Sequence, residues 1–272
     1  MTWPFRMVSL KIWLAGWAGL TLVTTLVGLL IVNVLDDGPL GRFDRSISFW
    51  FADHRTPRWN SLSQIGAGLA DAYTLTPAVI ILVFVLAAVF RRWHESLVLA
   101  AGILLEKAVF LPSTYLVDRP RPPVTQLDGN PPTSSYPSGH VAAAVVFYVV
   151  CAIVICWHVR YTFVRVLVWA IAVVVPIAVA ISRMILGMHF FSDVIVGAVL
   201  GAVSVAIGMR LARRTLCDLD ARSGVESRRR LDRGTEPEQA TAERDRAERE
   251  PRRPEAQPRD GVAGPVHAQQ HP

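Results

Sequence analysis

YPSGHVAAAVVFYVVCAIVICW, residues 136–157, joins a polar turn to an unbroken apolar run, and that junction decides the fold. No residue from Val141 to Trp157 carries a charge. A run of this length, close to the ~20 residues that span the hydrocarbon core, predicts a membrane-crossing helix. Working outward, similar runs occupy residues 12–35, 72–90, 96–117, 163–181 and 193–211, so six spans are expected. The predicted fold is an all-α integral membrane bundle of six transmembrane helices. Pro77, Pro112 and Pro176 lie within or near the ends of three runs, where neighbouring helices compensate for the missing backbone bond.

Composition agrees. Hydrophobic residues make up 52% of the chain and charged residues 18%, and the mean hydropathy is +0.36, which excludes an ordinary soluble domain. The first run follows Arg6 and Lys11 but is too long for the apolar core of a secretory signal, and no small-residue cleavage site follows it; a retained anchor is expected. The net charge of +6 would suggest nucleic acid in a soluble protein. Here the basic residues flank apolar runs or sit in the C-terminal tail, so anionic lipid headgroups are the expected contact and no nucleic-acid partner is indicated. Cys151, Cys156 and Cys217 form no metal-type pair and no disulfide framework.

Arg91 and Arg92, Arg160 and Arg165, and Arg210, Arg213 and Arg214 fall in the short loops or tail on one side of the spans. By the positive-inside rule that side is cytoplasmic and holds both termini. The loops at about 36–71, 118–139 and 182–192 then face outward. Within the first of these, Ile47, Phe49, Trp50 and Phe51 occur with Asp44, Arg45, Asp53 and Arg55, which predicts a short helix anchored at the interface. Residues 1–211 form the expected membrane domain. Residues 212–272, rich in Arg, Glu, Pro and Gln, are expected to be a disordered, charged cytoplasmic tail.

Three polar clusters sit at the outward ends of spans. Asp118-Arg119-Pro120-Arg121 follows the third, Tyr136-Pro137-Ser138-Gly139-His140 opens the fourth, and Ser182-Arg183 with Gly187, His189 and Asp193 joins the fifth to the sixth. Each alone has a plain structural reading: an interfacial charge cluster, a histidine at a helix start, a polar turn. Together they supply arginines, a hydroxyl, two histidines and a carboxylate on one side of the membrane, an inventory suited to phosphate. Arginine donates forked hydrogen bonds to phosphate oxygens, and two histidines divide nucleophile and acid roles near neutral pH. A helix start at residue 189 would put Asp193 on the same face as His189, four residues on. No carboxylate-rich cage accompanies the clusters, so metal-free phosphoryl transfer without a cofactor is expected.

Over about residues 40–210 the chain resembles the type 2 phosphatidic acid phosphatase superfamily, which also includes the vanadium-dependent haloperoxidases. That family carries K-x6-R-P, P-S-G-H and S-R-x5-H-x3-D. The last two are complete here, at 137–140 and 182–193, whereas Thr114 occupies the lysine position before Arg121-Pro122. Lys107 lies two helical turns earlier, about 10 Å along the axis, and does not replace it. The resemblance implies that His189 attacks phosphorus and becomes phosphorylated, that Asp193 orients it, and that His140 protonates the leaving lipid oxygen. It implies further that Arg121, Ser138, Gly139 and Arg183 hold the phosphoryl oxygens, with Arg119 and Thr114 as additional candidates. The expected substrate is a lipid phosphate in the outer leaflet: a polyprenyl diphosphate, phosphatidic acid or phosphatidylglycerol phosphate. A lipid phosphotransferase and an inactive lipid-binding or transport protein are the alternatives. No obligate protein partner is indicated.

Overall fold

The computed structural model describes residues 7–90, 94–129 and 133–214, all within a unit spanning Met1–Leu219. From residue 215 on, the expected tail lies outside the described residues, as do Arg91 and Arg92. The described chain is helical and without strands. Helix α1 (Met7–Leu30) runs on through a π turn at Ile31–Leu35, followed by α2 (Pro39–Asp53), α3 (Pro57–Gly68), α4 (Ala72–Phe90), α5 (His94–Val117), α6 (Gly139–His158) and α7 (Thr162–Ile185). The last helix, α8, is Phe191–Arg214. Six segments are long and apolar enough to cross a membrane, at Leu10–Leu35, Pro57–Val89, Glu95–Val117, Gly139–His158, Thr162–Ile185 and Phe191–Arg214. The protein is a multi-pass, all-α membrane bundle.

The second span departs most from the sequence expectation. Instead of starting at residue 72 it covers 33 residues, because α3 leads into α4. That exceeds the ~20 residues a bilayer requires, and the helix breaks at residues 69–71. Arg58, Asn60, Ser61, Ser63 and Gln64 made α3 read as loop. Its start is nonetheless well encoded: the Thr56 side chain accepts from the Trp59 N–H at 3.2 Å and Pro57 takes the first helical position.

Helix α2 forms where a short helix was expected, and it buries polar as well as apolar residues. Asp44 and Ser48 are buried, whereas Phe43, Phe49 and Trp50 are exposed. Aromatic side chains at headgroup level suit that arrangement.

Between apolar helices in lipid, close backbone approach replaces the hydrophobic drive as the source of packing. Helix α8 provides it with a glycine stripe facing α6. A Cβ on Gly197 would fall 2.4 Å from the Ser138 carbonyl oxygen, and one on Gly201 would fall 2.6 Å from that of Ala142. Helix α1 is fastened to α5 by the Trp17 indole, which donates to the Ala108 carbonyl at 2.9 Å. The C-terminal ends of α5 and α7 and the N-terminal starts of α6 and α8 thereby meet at one end of the bundle. All three polar clusters lie there.

Candidate active site

The corner between α7 and α8 is built on a glycine. Gly187 has φ +75°, and a Cβ there would lie 2.8 Å from Arg55 Nη2 and 3.0 Å from the Thr125 carbonyl oxygen. A side-chain-bearing residue would be both strained and crowded. Because α8 begins only at Phe191, His189 precedes the helix, and the expected helical stacking of His189 over Asp193 does not form. Asp193 instead occupies the first turn of α8. One carboxylate oxygen accepts from the Phe190 N–H at 2.9 Å and from the Ser135 hydroxyl, and the other accepts from Arg119 Nη1 at 2.6 Å. An acceptor at an otherwise unpaired N-terminal N–H stabilises the helix start.

Ser135 carries this order to the histidine. Its hydroxyl donates to Asp193, and its carbonyl oxygen lies 2.6 Å from His189 Nδ1. A carbonyl oxygen only accepts, so Nδ1 carries the hydrogen and Nε2 of the neutral ring keeps its lone pair. Burial, followed by the guanidinium groups of Arg183 and Arg121, holds His189 well below its ordinary pKa. The ring is therefore neutral at physiological pH, 5% exposed, and fixed in one tautomer.

Opposite it, α6 begins with Ser138 at the N-cap. The Ser138 N–H donates to the Asp193 carbonyl oxygen at 3.1 Å, while its fully buried hydroxyl has no hydrogen-bond partner. Buried polar atoms are normally paired, and an unpaired one at a helix N-terminus is suited to an anion. Gly139 is closed by packing: a Cβ would meet the Phe110 ring at 2.9 Å. His140 is 26% exposed, and its Nε2 lies 3.6 Å from Asp71 Oδ1. Arg183 forms an ion pair with Asp128 through Nη1, and its buried Nε is unpaired. Arg183, Arg121 and His140 all lie within electrostatic reach of His189.

The two arginines of the first cluster have different surroundings. Arg121 is partly buried and donates to the Met188 carbonyl at 2.6 Å and the Thr133 carbonyl at 3.1 Å, both neutral acceptors. Burial and then the neighbouring Arg183 lower its pKa. Arg119 is committed elsewhere. It pairs with Asp193 at 2.6 Å and with Asp44 at 2.9 Å, donates to Ser192 at 2.8 Å, and lies 4.1 Å from the centre of the Phe190 ring. Thr114, at the family's lysine position, is 1% exposed; its hydroxyl meets the Ser134 hydroxyl at 3.0 Å and accepts from the Ser134 N–H at 3.1 Å. The structure thus brings together His189, His140, Ser138, Gly139, Arg121 and Arg183. It turns Arg119 and Thr114 toward the scaffold beneath them.

This arrangement of a buried neutral histidine, a second histidine and two arginines around an unpaired serine coincides with a sequence match. Residues 95–216 match the profile of the PAP2 superfamily. Two solved membrane proteins are similar. One is the first transmembrane PAP2-type phosphatidylglycerolphosphate phosphatase from Bacillus subtilis, at 23% identity and a TM-score of 0.63 over 74% of this chain and 97% of that one. The other is Aquifex aeolicus LpxE, at 23% identity and a TM-score of 0.47 over 61% of this chain and 93% of that one. The first likeness shows the fold. No curated protein matches the chain by sequence.

Around these motifs the structure gives residues roles that sequence reading missed. Asp44 accepts from the Ser192 N–H at 3.0 Å and from its hydroxyl, bracing the start of α8 from 148 positions away. Arg55 ties the Ile185 and Thr125 carbonyls together, at 2.7 Å each, over the α7–α8 corner. Ser135, Asp128 and Asp71 complete the set. Ser135 adjoins the second motif and was within reach of a local search. Asp44, Asp71 and Asp128 belong to no spacing pattern.

Proposed function

We propose that this protein is a metal-independent phosphatase acting on a lipid phosphate through a phosphohistidine at His189. The observation that carries this reading is the bond from His189 Nδ1 to the Ser135 carbonyl, which leaves the Nε2 lone pair of a buried, neutral ring free for attack. Nε2 attacks phosphorus, the bond from phosphorus to the lipid oxygen breaks, and that oxygen takes a proton from His140. A water then attacks the phosphohistidine and gives a proton to the now neutral His140. The phosphorus–nitrogen bond breaks, inorganic phosphate leaves and His189 returns to its neutral form.

Arg121, Arg183, the unpaired Ser138 hydroxyl and the Gly139 backbone N–H are the proposed phosphate cradle. Fixed cationic and N–H donors stabilise the charge of a phosphoryl transition state without reorganising. For Arg183 to engage fully, the phosphate takes the place of Asp128 on its guanidinium. Asp193 orients His189 through Ser135, and its carboxylate is neutralised by Arg119.

The site is proposed to open at the outer face, with both chain ends in the cytoplasm. Arg160, Arg165, Arg210, Arg213 and Arg214 at the other side of the bundle support that orientation. A headgroup-level site suits a polyprenyl diphosphate, phosphatidic acid or phosphatidylglycerol phosphate; the last is the substrate class named for the Bacillus subtilis structure.

The test is phosphate release from these lipids by the full-length protein in detergent, with and without EDTA, combined with acid quenching to trap a phosphoenzyme. Turnover that survives EDTA and an acid-labile phosphoenzyme absent from His189→Ala are expected. Loss on chelation with recovery on adding Mg²⁺ would overturn the mechanism.

A further inference from the structure

The second candidate span is interrupted, and the interruption brings a carboxylate to His140. Residues 69–71 separate α3 from α4. They are anchored on α6, the helix that begins with Gly139 and His140: the Leu69 carbonyl accepts from Tyr148 Oη at 3.2 Å. Ala70 is 3% exposed and packs in one apolar cluster with Val141 and Ala144 of α6. Asp71 follows, with Oδ1 3.6 Å from His140 Nε2.

We propose that Asp71 is a positioning residue for His140, orienting its ring and supplying the counter-charge that favours the imidazolium needed to protonate the leaving lipid oxygen. The proposal rests on the reading of His140 as general acid and goes beyond the two histidines and the carboxylate of the PAP2 motifs. The other charges bearing on His140 are Arg183 from α7, Lys107 from α5 and Asp128 from the loop before α6. His189 adjoins it from the α7–α8 corner. Two of these are fixed cations, and they oppose a charged imidazole. Asp128 is already paired with Arg183. Among the described residues, Asp71 is the carboxylate within ion-pair distance of the ring, at 3.6 Å.

The backbone carbonyl of Asp71 accepts from the Leu75 N–H at 2.8 Å and the Thr74 N–H at 3.2 Å, bonds that do not depend on its side chain. Asp71→Asn therefore removes the charge and spares these bonds. Asp71→Glu restores the charge on a longer arm.

The experiment measures kcat and KM of full-length wild type, Asp71→Asn, Asp71→Glu and His140→Ala in detergent. The probes are the fastest lipid phosphate among phosphatidic acid, phosphatidylglycerol phosphate and farnesyl diphosphate, and p-nitrophenyl phosphate, whose phenolate leaves without a proton. Thermal unfolding of each variant is recorded alongside. Asp71→Asn is expected to lower kcat on the lipid about two- to fivefold, the scale of a partly exposed ion pair, with KM and melting temperature unchanged and p-nitrophenyl phosphate spared. Asp71→Glu is expected to recover much of that loss. Equal losses on both substrates, no loss on either, or no recovery in Asp71→Glu would each overturn the proposal. The underlying reading fails separately: if His140→Ala loses both substrates equally, His140 is not the acid. A substrate-dependent His140→Ala beside an indifferent Asp71→Asn removes Asp71 alone.

Discussion

His189 and His140 belong to one site and are held in opposite ways. His189 is 5% exposed and sits in a corner locked by Ser135, Asp193, Arg119, Asp44 and Ser192. His140 is 26% exposed, stands in the first turn of α6 and has a single ion pair. The difference matches what the two proposed tasks require. A nucleophile needs one tautomer, one orientation and a neutral ring, and a dense network with burial secures all three. A general acid has to regain or release a proton in every turnover, which a sealed pocket would obstruct.

Breaking the locked corner at its centre gives the largest expected effect. His189→Ala is expected to abolish turnover on lipid phosphates and on p-nitrophenyl phosphate alike, and to remove the acid-labile phosphoenzyme. Residual activity near wild type on either substrate would remove the mechanism. On the open side, His140→Ala is expected to lower kcat on a lipid phosphate by about 10² to 10⁴, the usual contribution of a general acid. The loss on p-nitrophenyl phosphate should be much smaller, and steady-state kinetics on the two substrates separates the cases.

Arg119→Met tests whether the lock is structural. Asp193 and Asp44, both fully buried, would lose their cation, and breaking such a buried pair typically costs about 3–5 kcal/mol. A large fall in detergent melting temperature is expected. An unchanged melting point with lost activity would instead make Arg119 a phosphate ligand.

The pH profile sharpens the comparison further. Because His189 is held below its ordinary pKa, the acid limb of kcat/KM is expected well below pH 6.5, where a free histidine would place it. The sign follows from the nucleophile being active when deprotonated. Arg183 is among the charges that lower this value, so the residual activity of Arg183→Gln should show the limb moved to higher pH. A limb that stays in place would mean it reports another group. The smallest effect is expected from Thr114→Val, which keeps the volume but removes the tie to Ser134 at 3.0 Å. A loss of about 1 kcal/mol in stability and a few-fold rise in KM should follow, measured by thermal unfolding and initial rates.

The span pattern was legible because bilayer crossing is a property of consecutive residues: residues 140–157 announce a helix without reference to any other part of the chain. The second and third motifs were legible for a related reason, since each lies in one short segment. Arg119 and Arg121 show where that reading stops. Two residues apart and alike in chemistry, they differ in task because one faces Asp44 and Asp193 and the other faces carbonyls of Met188 and Thr133. Neither set of neighbours is local. Thr114 is similar: the sequence marks a missing lysine, while the structure shows a buried hydroxyl holding Ser134.

By itself, then, the sequence determined the six-span bundle and put the polar motifs, with their two histidines, at the ends of spans, because hydropathy and motif spacing are encoded over short stretches of chain. Only the tertiary structure decided that α3 and α4 share one broken span and that Asp193 reaches His189 through the Ser135 carbonyl. It alone decided that Asp44 braces Ser192 and that Asp71 stands beside His140. Those relations join residues whose separation along the chain carries no period. They are fixed by which helix ends the packing of the bundle brings into hydrogen-bonding distance.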